Sequence, residues 1–487
     1  MNRRKFLGAS SAFAGTLASL PAKASSGINV PVRTGFDQPH CRASFTEGFI
    51  WGSATAAYQV EGAVAEAGRA PSIWDTFSHA HGKIHNGDTG DLADDEFHRY
   101  KEDIALMKTI GLKAYRFSVA WSRIFPNGSG SPNPRGLDFY KAMLDELHHA
   151  GIAPYCTLYH WDLPQALEDK GGWQNPDTAK AFADYCAYTS NQLSGQVTHF
   201  ITMNEMKSFV DQGYGDGSHA PGLRLSEGGL AQTAYYVALG HGLAVKAIRA
   251  ASRSGTKIGI ADNVQPTTPI LDTPEHVRAA QTALREENAR YLTLLMEGTY
   301  TDAYLRRLGI AAPHFTSEEL TTISTPLDFV GLNIYGGVYV RAADNPLGYA
   351  IVPPPSSYPH MLSDWLLICP EALYWVPKLA ASVWGIKNIY VTENGCSSDD
   401  QIADDGHIYD SDRIMFLRNC IANLQRATAE GVPIKGYFLW SLLDNFEWVD
   451  GYSKRFGITY VDFATQRRTP KMSSMLYRDI IARNGLA

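Results

Sequence analysis

The run KAYRFSVAW at 113–121, a helix-patterned stretch after it, and APYCTLY at 153–159 set the architecture of this chain. Both runs are rich in aromatic and other apolar side chains, as strands buried on both faces are. Between them Leu137, Tyr140, Met143, Leu144 and Leu147 fall at i, i+3, i+6, i+7 and i+10, one apolar stripe that stops at Gly151. Strand, helix, strand is the repeating unit of an alternating α/β fold.

The same unit recurs outward in both directions. Strand-like runs lie at 49–56, 197–203, 257–262, 328–335, 388–392 and 435–441, which with the first two makes eight. Amphipathic stretches fit 95–110, 177–193, 229–252, 277–297, 371–383, 411–430 and 471–482. Strand then helix eight times over predicts a single (β/α)₈ TIM barrel across 45–487, with elaborated βα loops at 345–359 and 397–411. At 487 residues the chain could hold two or three average domains, but no linker divides it.

In such a barrel, chemistry sits at the C-terminal ends of the strands. Glu205 in TMNEM (202–206) and Glu393 in YVTENG (390–395) each close an apolar run, so both carboxylates are predicted to face one mouth. A carboxylate pair is the equipment for breaking a glycosidic bond. Around them the other strands deliver Gln59 and Glu61, Arg116, His160 and Trp161, Asn204, Asn263, Asn333 and Tyr335, Asn394, Trp440, and Glu447 with Trp448. Each residue alone is weak; their convergence on one face is not. Glu61 is read as a loop brace. Arg116 could serve the site or a buried ion pair, and Asn263 and Asn333 could serve the site or strand-end backbone groups.

The first 24 residues read differently. Arg3-Arg4-Lys5 precedes a weakly apolar run to Leu20 and then Ala22-Lys23-Ala24, the layout of a secretory signal with paired arginines of the twin-arginine type. This predicts cleavage after Ala24, export to the periplasm or beyond, and a short extension over 25–44. The run is too short and too rich in Gly, Ser and Ala for a membrane span, and no membrane integration is expected elsewhere. The formal net charge is −7, and the leader holds four cations and no acid, so the remainder is more acidic still. That balance argues against nucleic acid as a partner. Six cysteines show no CxxC or Cys/His spacing, so no metal site is expected, and Cys156 and Cys186 read as small core residues.

The motifs carry a resemblance as well. FIWGSATAAYQVEGA (49–63), YRFSVAWSRIFPNG (115–128), TLYHWDLPQAL (157–167), TMNE, DFVGLNIY, YVTENG and GYFLWSLLDNFEWVDGYSKRFG (436–457) closely resemble the signatures of glycoside hydrolase family 1, in its β-glucosidase branch. The likeness runs from about 45 to 482. It implies a retaining, exo-acting β-glycosidase without a cofactor, working on small β-glucosides such as aryl or alkyl glucosides and short β-gluco-oligosaccharides through a covalent glycosyl-enzyme. It implies Glu205 as acid/base and Glu393 as nucleophile, with Arg116, Tyr335 and Asn333 orienting the nucleophile. Gln59, His160, Trp161, Asn204, Tyr335, Trp440, Glu447, Trp448 and Phe456 are the implied substrate contacts. Cellulose breakdown is the implied setting.

Physical chemistry agrees with those implied roles. A nucleophile must be anionic, which an adjacent Arg and a Tyr hydroxyl favour; the acid must hold its proton, which requires a dry setting. Galactosidase or fucosidase specificity and transglycosylation stay open. The 6-phospho-sugar branch is rejected because Glu447 would repel a phosphate dianion. The thioglucosidase branch is disfavoured because the acid/base Glu is intact, and a catalytically dead sugar-binding protein because both carboxylates are present. The chain departs from the pattern at Met206, where Pro is usual after the acid/base, at Cys396, and through 264–325, where Thr301 stands in place of the expected Pro after Tyr300. These departures predict a looser turn at Met206 and unusual loops on the leaving-group side.

Overall fold

The structure is a computed structural model that describes residues 44–486. The leader at 1–24, the extension up to residue 43 and Cys41 lie outside the described residues.

Eight parallel strands close into a barrel: Ile50–Ala54, Ala114–Ser118, Ala153–Thr157, His199–Asn204, Lys257–Asp262, Phe329–Asn333, Ile389–Asn394 and Ile434–Trp440. They follow one another around the ring in chain order, and the first closes on the last with Ile50 opposite Gly436 and Ala54 opposite Trp440. All eight coincide with the predicted runs. The N-terminal half of the barrel is filled by rings. Tyr155 of the third strand stands 4.8 Å from Phe438 of the eighth and 5.7 Å from Tyr390 of the seventh. Side chains from strands that are not neighbours meet only across the barrel axis, so this end is a packed plug. Glycine makes room for it: a Cβ on Gly52 would lie 2.5 Å from the Phe438 ring, and one on Gly259 2.4 Å from the Phe329 ring. With one end plugged, the cavity can open only at the other.

The helices form the outer layer. The stripe from Leu137 to Leu147 lies on a helix at Pro134–Ala150, with proline in its first turn, where a missing N–H costs nothing. It ends at Gly151, whose left-handed φ of 74° favours a residue without a side chain. Other predicted helices appear at Glu96–Ile110, Pro176–Leu193, Glu227–Ala251, Ala372–Trp384, Ser411–Ala429 and Met472–Arg483. The predicted stretch 277–297 is corrected: it is two helices, Pro274–Glu287 and Leu292–Glu297. Asn288 breaks it, because its amide group donates to Leu284 O and accepts from Gln265 N–H, competing with the helical bonds.

The loop over 345–359 has structure of its own. Tyr349–Val352 pairs antiparallel with Val338–Ala342, which pairs in turn with Thr267–Pro269, a three-stranded sheet beside the mouth. A hairpin at Thr459–Asp462 and Arg467–Pro470 follows the eighth strand. Cys156 and Cys186 are free and buried, as expected of small core residues, and Cys369, Cys396 and Cys420 are free and buried as well. No described helix is long and apolar enough to cross a membrane.

Candidate active site

A cavity of ≈ 540 Å³ opens at the C-terminal ends of the strands, and Glu205 and Glu393 both line it. Their partners differ in kind. Glu393 is buried at the end of the seventh strand. Its Oε1 accepts from Arg116 Nη1 at 2.6 Å and its Oε2 from Tyr335 Oη at 2.7 Å, the short charge-assisted contacts that an anion makes. Gly395 helps hold this strand end, since a Cβ there would collide with the carbonyl oxygen of Trp440.

Among the described residues Glu205 has only neutral hydrogen-bond partners: Oε1 accepts from Asn333 Nδ2 at 2.7 Å and Oε2 from Ser208 Oγ at 2.9 Å. Burial, and after it the charge of Glu393, push its carboxyl up to about 8, while the two hydrogen bonds pull the other way. The backbone at Glu205 is left-handed, φ 50°, as it is at Trp161 (77°) and Trp448 (46°). For residues with side chains this conformation costs on the order of 1–3 kcal/mol and is concentrated at functional sites. The turn expected to be loose is closed: Glu205 N–H donates to Ala261 O, and the buried Met206 begins a helix at once.

Arg116 joins the two halves of the site. Besides Glu393 its guanidinium donates to Thr157 Oγ1, Thr392 O and Asn204 Oδ1, so it is both a buried ion-pair partner and part of the site. Asn204 Oδ1 also accepts from Asn333 Nδ2. With its oxygen engaged by two donors, the Asn204 amide must turn Nδ2 toward His160 Nε2, 3.1 Å away. Nε2 is therefore an acceptor, and His160 carries its proton on Nδ1. Burial and the nearby Arg116 hold this imidazole well below its ordinary pKa, so it is neutral. Its buried Nδ1 has no hydrogen-bond partner among the described residues.

One expected position is corrected. Asn333, expected to orient Glu393, instead donates its amide to Glu205 and Asn204 and accepts from Thr392 Oγ1. Although Asn333 lies opposite Glu393 in the strand register, Arg116 donates to Glu393 Oε1, and the Asn333 amide donates to Glu205 instead. Glu61 is a brace, as read from the sequence: it accepts from Arg123 and from Tyr140 and does not line the cavity. Asn263 lines the cavity and donates to Ser208 Oγ at 2.7 Å.

The remaining expected contacts divide into walls and a back layer. Trp161, Trp440, Trp448, Phe456 and Tyr335 line the cavity, with Trp161 and Trp448 stacked at 4.5 Å. Burial and the charge of Glu393 keep the Tyr335 phenol well above its usual range, so it remains a donor. Glu447 also lines the cavity; burial, with Asp450 and the two other glutamates, pushes it up to about 8. Gln59 stands behind it, donating to Phe446 O and Asn445 Oδ1 with a longer contact to Glu447, and its buried Oε1 has no partner among the described residues.

Sequence reading missed Ser208 and Trp365. Ser208 stands three residues after Glu205, one helical turn, a spacing that could have flagged it. Trp365, 59% exposed, lines the cavity from the loop after the sixth strand and lies 18° from parallel with Phe456 at 6.5 Å. It sits in none of the motifs, and exposure is not written in a sequence.

The sequence matches the model of glycosyl hydrolase family 1 over residues 41–486. It is 42% identical over 444 residues to beta-glucosidase A of Thermotoga maritima, covering 91% of this chain and 98% of that one. A bifunctional beta-D-glucosidase/beta-D-fucosidase of Bifidobacterium breve is 40% identical over 462 residues, covering 90% and 98%. Among solved structures, the family 1 β-glucosidase of Thermotoga maritima is similar with a TM-score of 0.83 at 40% identity, over 91% of this chain and 99% of that one. A match of this length and identity shows that the chain belongs to glycosyl hydrolase family 1.

Proposed function

We propose that this glycoside hydrolase is a retaining β-glucosidase in which Glu393 is the nucleophile and Glu205 the acid/base. One observation carries the assignment: two carboxyls face one cavity in opposite settings. Glu393 has a guanidinium and a phenol as donors, whereas Glu205 has only neutral hydrogen-bond partners among the described residues and a carboxyl pushed up to about 8. Environments that differ in this way assign acid and base roles. Glu393 attacks the anomeric carbon while Glu205 gives its proton to the departing oxygen. Glu205, now a carboxylate, then takes a proton from water, which releases the sugar with retained configuration. Arg116 and Tyr335 hold the attacking carboxylate in place, and Asn333 and Ser208 hold the acid.

The sugar itself is to be held by groups whose polar atoms the protein leaves free. His160 Nδ1–H is a donor and Gln59 Oε1 an acceptor, both buried without a partner among the described residues. Glu447 offers a carboxyl beside Gln59, and Trp440 an apolar face. Glucose is the first choice because the relatives named above are β-glucosidases; fucose is the second, since one of them is named for both. The test is release of a chromogenic phenol from aryl β-glucosides, with the anomer of the first-formed sugar followed by NMR. An inactive protein, or α-glucose as first product, would end this reading. In the same assay Glu447→Ser is expected to lower kcat/KM for β-glucosides about 100-fold or more, because a site built to pair with a hydroxyl discriminates strongly once the pairing is lost. Wild-type efficiency in that variant would remove Glu447 from the sugar and reopen the 6-phospho alternative.

Export through a twin-arginine route is part of the proposal. It is supported by the paired Arg3 and Arg4 and the weak hydrophobicity of the run that follows. Changing both arginines to lysine should leave active, uncleaved protein in the cytoplasm. Normal processing of the double variant would refute the route. A role in cellulose breakdown is proposed only through the β-glucosidase reading.

A further inference from the structure

In the proposed mechanism Glu205 is a protonated acid in the first step and a carboxylate in the second. Burial does most to favour its protonated form, and the charge of Glu393 comes after it. Once Glu393 is esterified to the sugar that charge is gone, but the burial remains. The carboxylate of the second step therefore depends on donors that the protein holds against Glu205.

Among the described residues it has two, and they are held differently. Asn333 Nδ2 reaches Oε1 at 2.7 Å from an amide that Thr392 and Asn204 lock in place. Ser208 Oγ reaches Oε2 at 2.9 Å from within the helix Met206–Val210, of which Glu205 is the N-cap. An N-cap carboxyl usually turns to its own helix, but Glu205 caps none of the described backbone N–H groups, which leaves Oε2 to the hydroxyl. Asn263, the residue after the fifth strand, donates Nδ2 to Ser208 Oγ at 2.7 Å. With a donor already on its oxygen, the hydroxyl points its single proton at Glu205, and a hydroxyl that accepts in this way is the stronger donor. Asn263, Ser208 and Glu205 form a chain of donors that ends on a carboxylate.

Other groups act on Glu205 as well. Glu393 and Asp262 do so through their charge, and Glu447 and Tyr335 share its cavity and its field. Lys207, Asp450, His160 and His219 line the same cavity. Among the described residues none of these bonds to the Ser208 hydroxyl, so removing that hydroxyl leaves every one of them in place. We infer that Ser208, oriented by Asn263, is a positioning residue that stabilises the carboxylate form of Glu205 and so sets the pH at which it passes from acid to base. This role rests on the β-glucosidase reading and lets one carboxyl serve both of its steps.

Ser208→Ala tests it by removing the donor without adding bulk, and thermal unfolding will verify that the variant is folded. With less support for the anion, Glu205 holds its proton to higher pH, which has the same sign in both steps. For a β-linked glucose disaccharide, which needs the protonated form, the alkaline limb of kcat/KM should move up by about one pH unit or more, the scale of one hydrogen bond to a charged group. For an activated aryl glucoside, whose kcat is limited by the second step and needs the anion, the acidic limb should move up as well. Glu447 titrates in the same range but receives no bond from Ser208, so a shift common to both limbs belongs to Glu205. Asn263→Leu, which removes only the donor to the hydroxyl, should move both limbs the same way by less. Ser208→Thr, which restores the hydroxyl, should bring them back. A lower rate at every pH with both limbs unmoved in folded Ser208→Ala would make Ser208 a steric support and overturn the inference, as would limbs that stay shifted in Ser208→Thr. Inactivity of the wild type on aryl glucosides would instead overturn the β-glucosidase reading.

Discussion

Glu393→Gln is expected to lower kcat on the order of 10⁵- to 10⁶-fold, the scale of losing a nucleophile. The fold should survive. A glutamine keeps an oxygen for Arg116 Nη1, and Arg116 retains Thr157, Thr392 and Asn204 as further acceptors. Equal thermal unfolding of variant and wild type would verify this. A 2-deoxy-2-fluoro-β-glucoside with a good leaving group slows breakdown of the intermediate, so mass spectrometry of the wild type should find the sugar on the peptide containing Glu393. Turnover above a hundredth of wild type in Glu393→Gln, or the label on Glu205, would refute the assignment.

Glu205→Ala should be the second most damaging change, with a fall of about 10²- to 10⁴-fold on substrates whose leaving group needs a proton. On an activated aryl glucoside, whose phenolate leaves unaided, the first step should survive and the second should stall for lack of a base. Azide, which needs no base, should then restore turnover and yield the β-glucosyl azide. An α-azide from this variant would exchange the two roles. The pH profile gives a separate check. Glu205 must be protonated to act as acid, and its carboxyl is pushed up to about 8, so wild-type kcat/KM should fall as pH rises through that value. Glu447 is pushed into the same range, so the limb of the wild type belongs to coupled groups. Loss of the limb in Glu205→Ala, on the activated substrate, is what would attribute it.

The barrel was legible because its signals are local. An apolar stripe of period 3.6 ending at a glycine, as from Leu137 to Gly151, is decided within a few turns of chain, and all eight strand runs followed the same logic. Strand ends were legible too, so a parallel barrel was enough to bring Glu205, Glu393, Arg116, His160 and Trp440 to one mouth. What each side chain then touches is not local. Asn333 serves Glu205, while Arg116, from a distant strand, donates to Glu393. Glu61 leaves the site because Arg123 and Tyr140 claim it. The proton on His160 is placed by the orientation of Asn204, which two further residues fix. The helix break at Asn288, which periodicity alone would have run straight through, depends on Gln265 N–H reaching its side chain from another segment. Periodicity and chain punctuation are properties of neighbours in sequence, and they carried the fold. Hydrogen-bond partners, burial and the resulting protonation states are properties of neighbours in space, and they exist only once the barrel has closed.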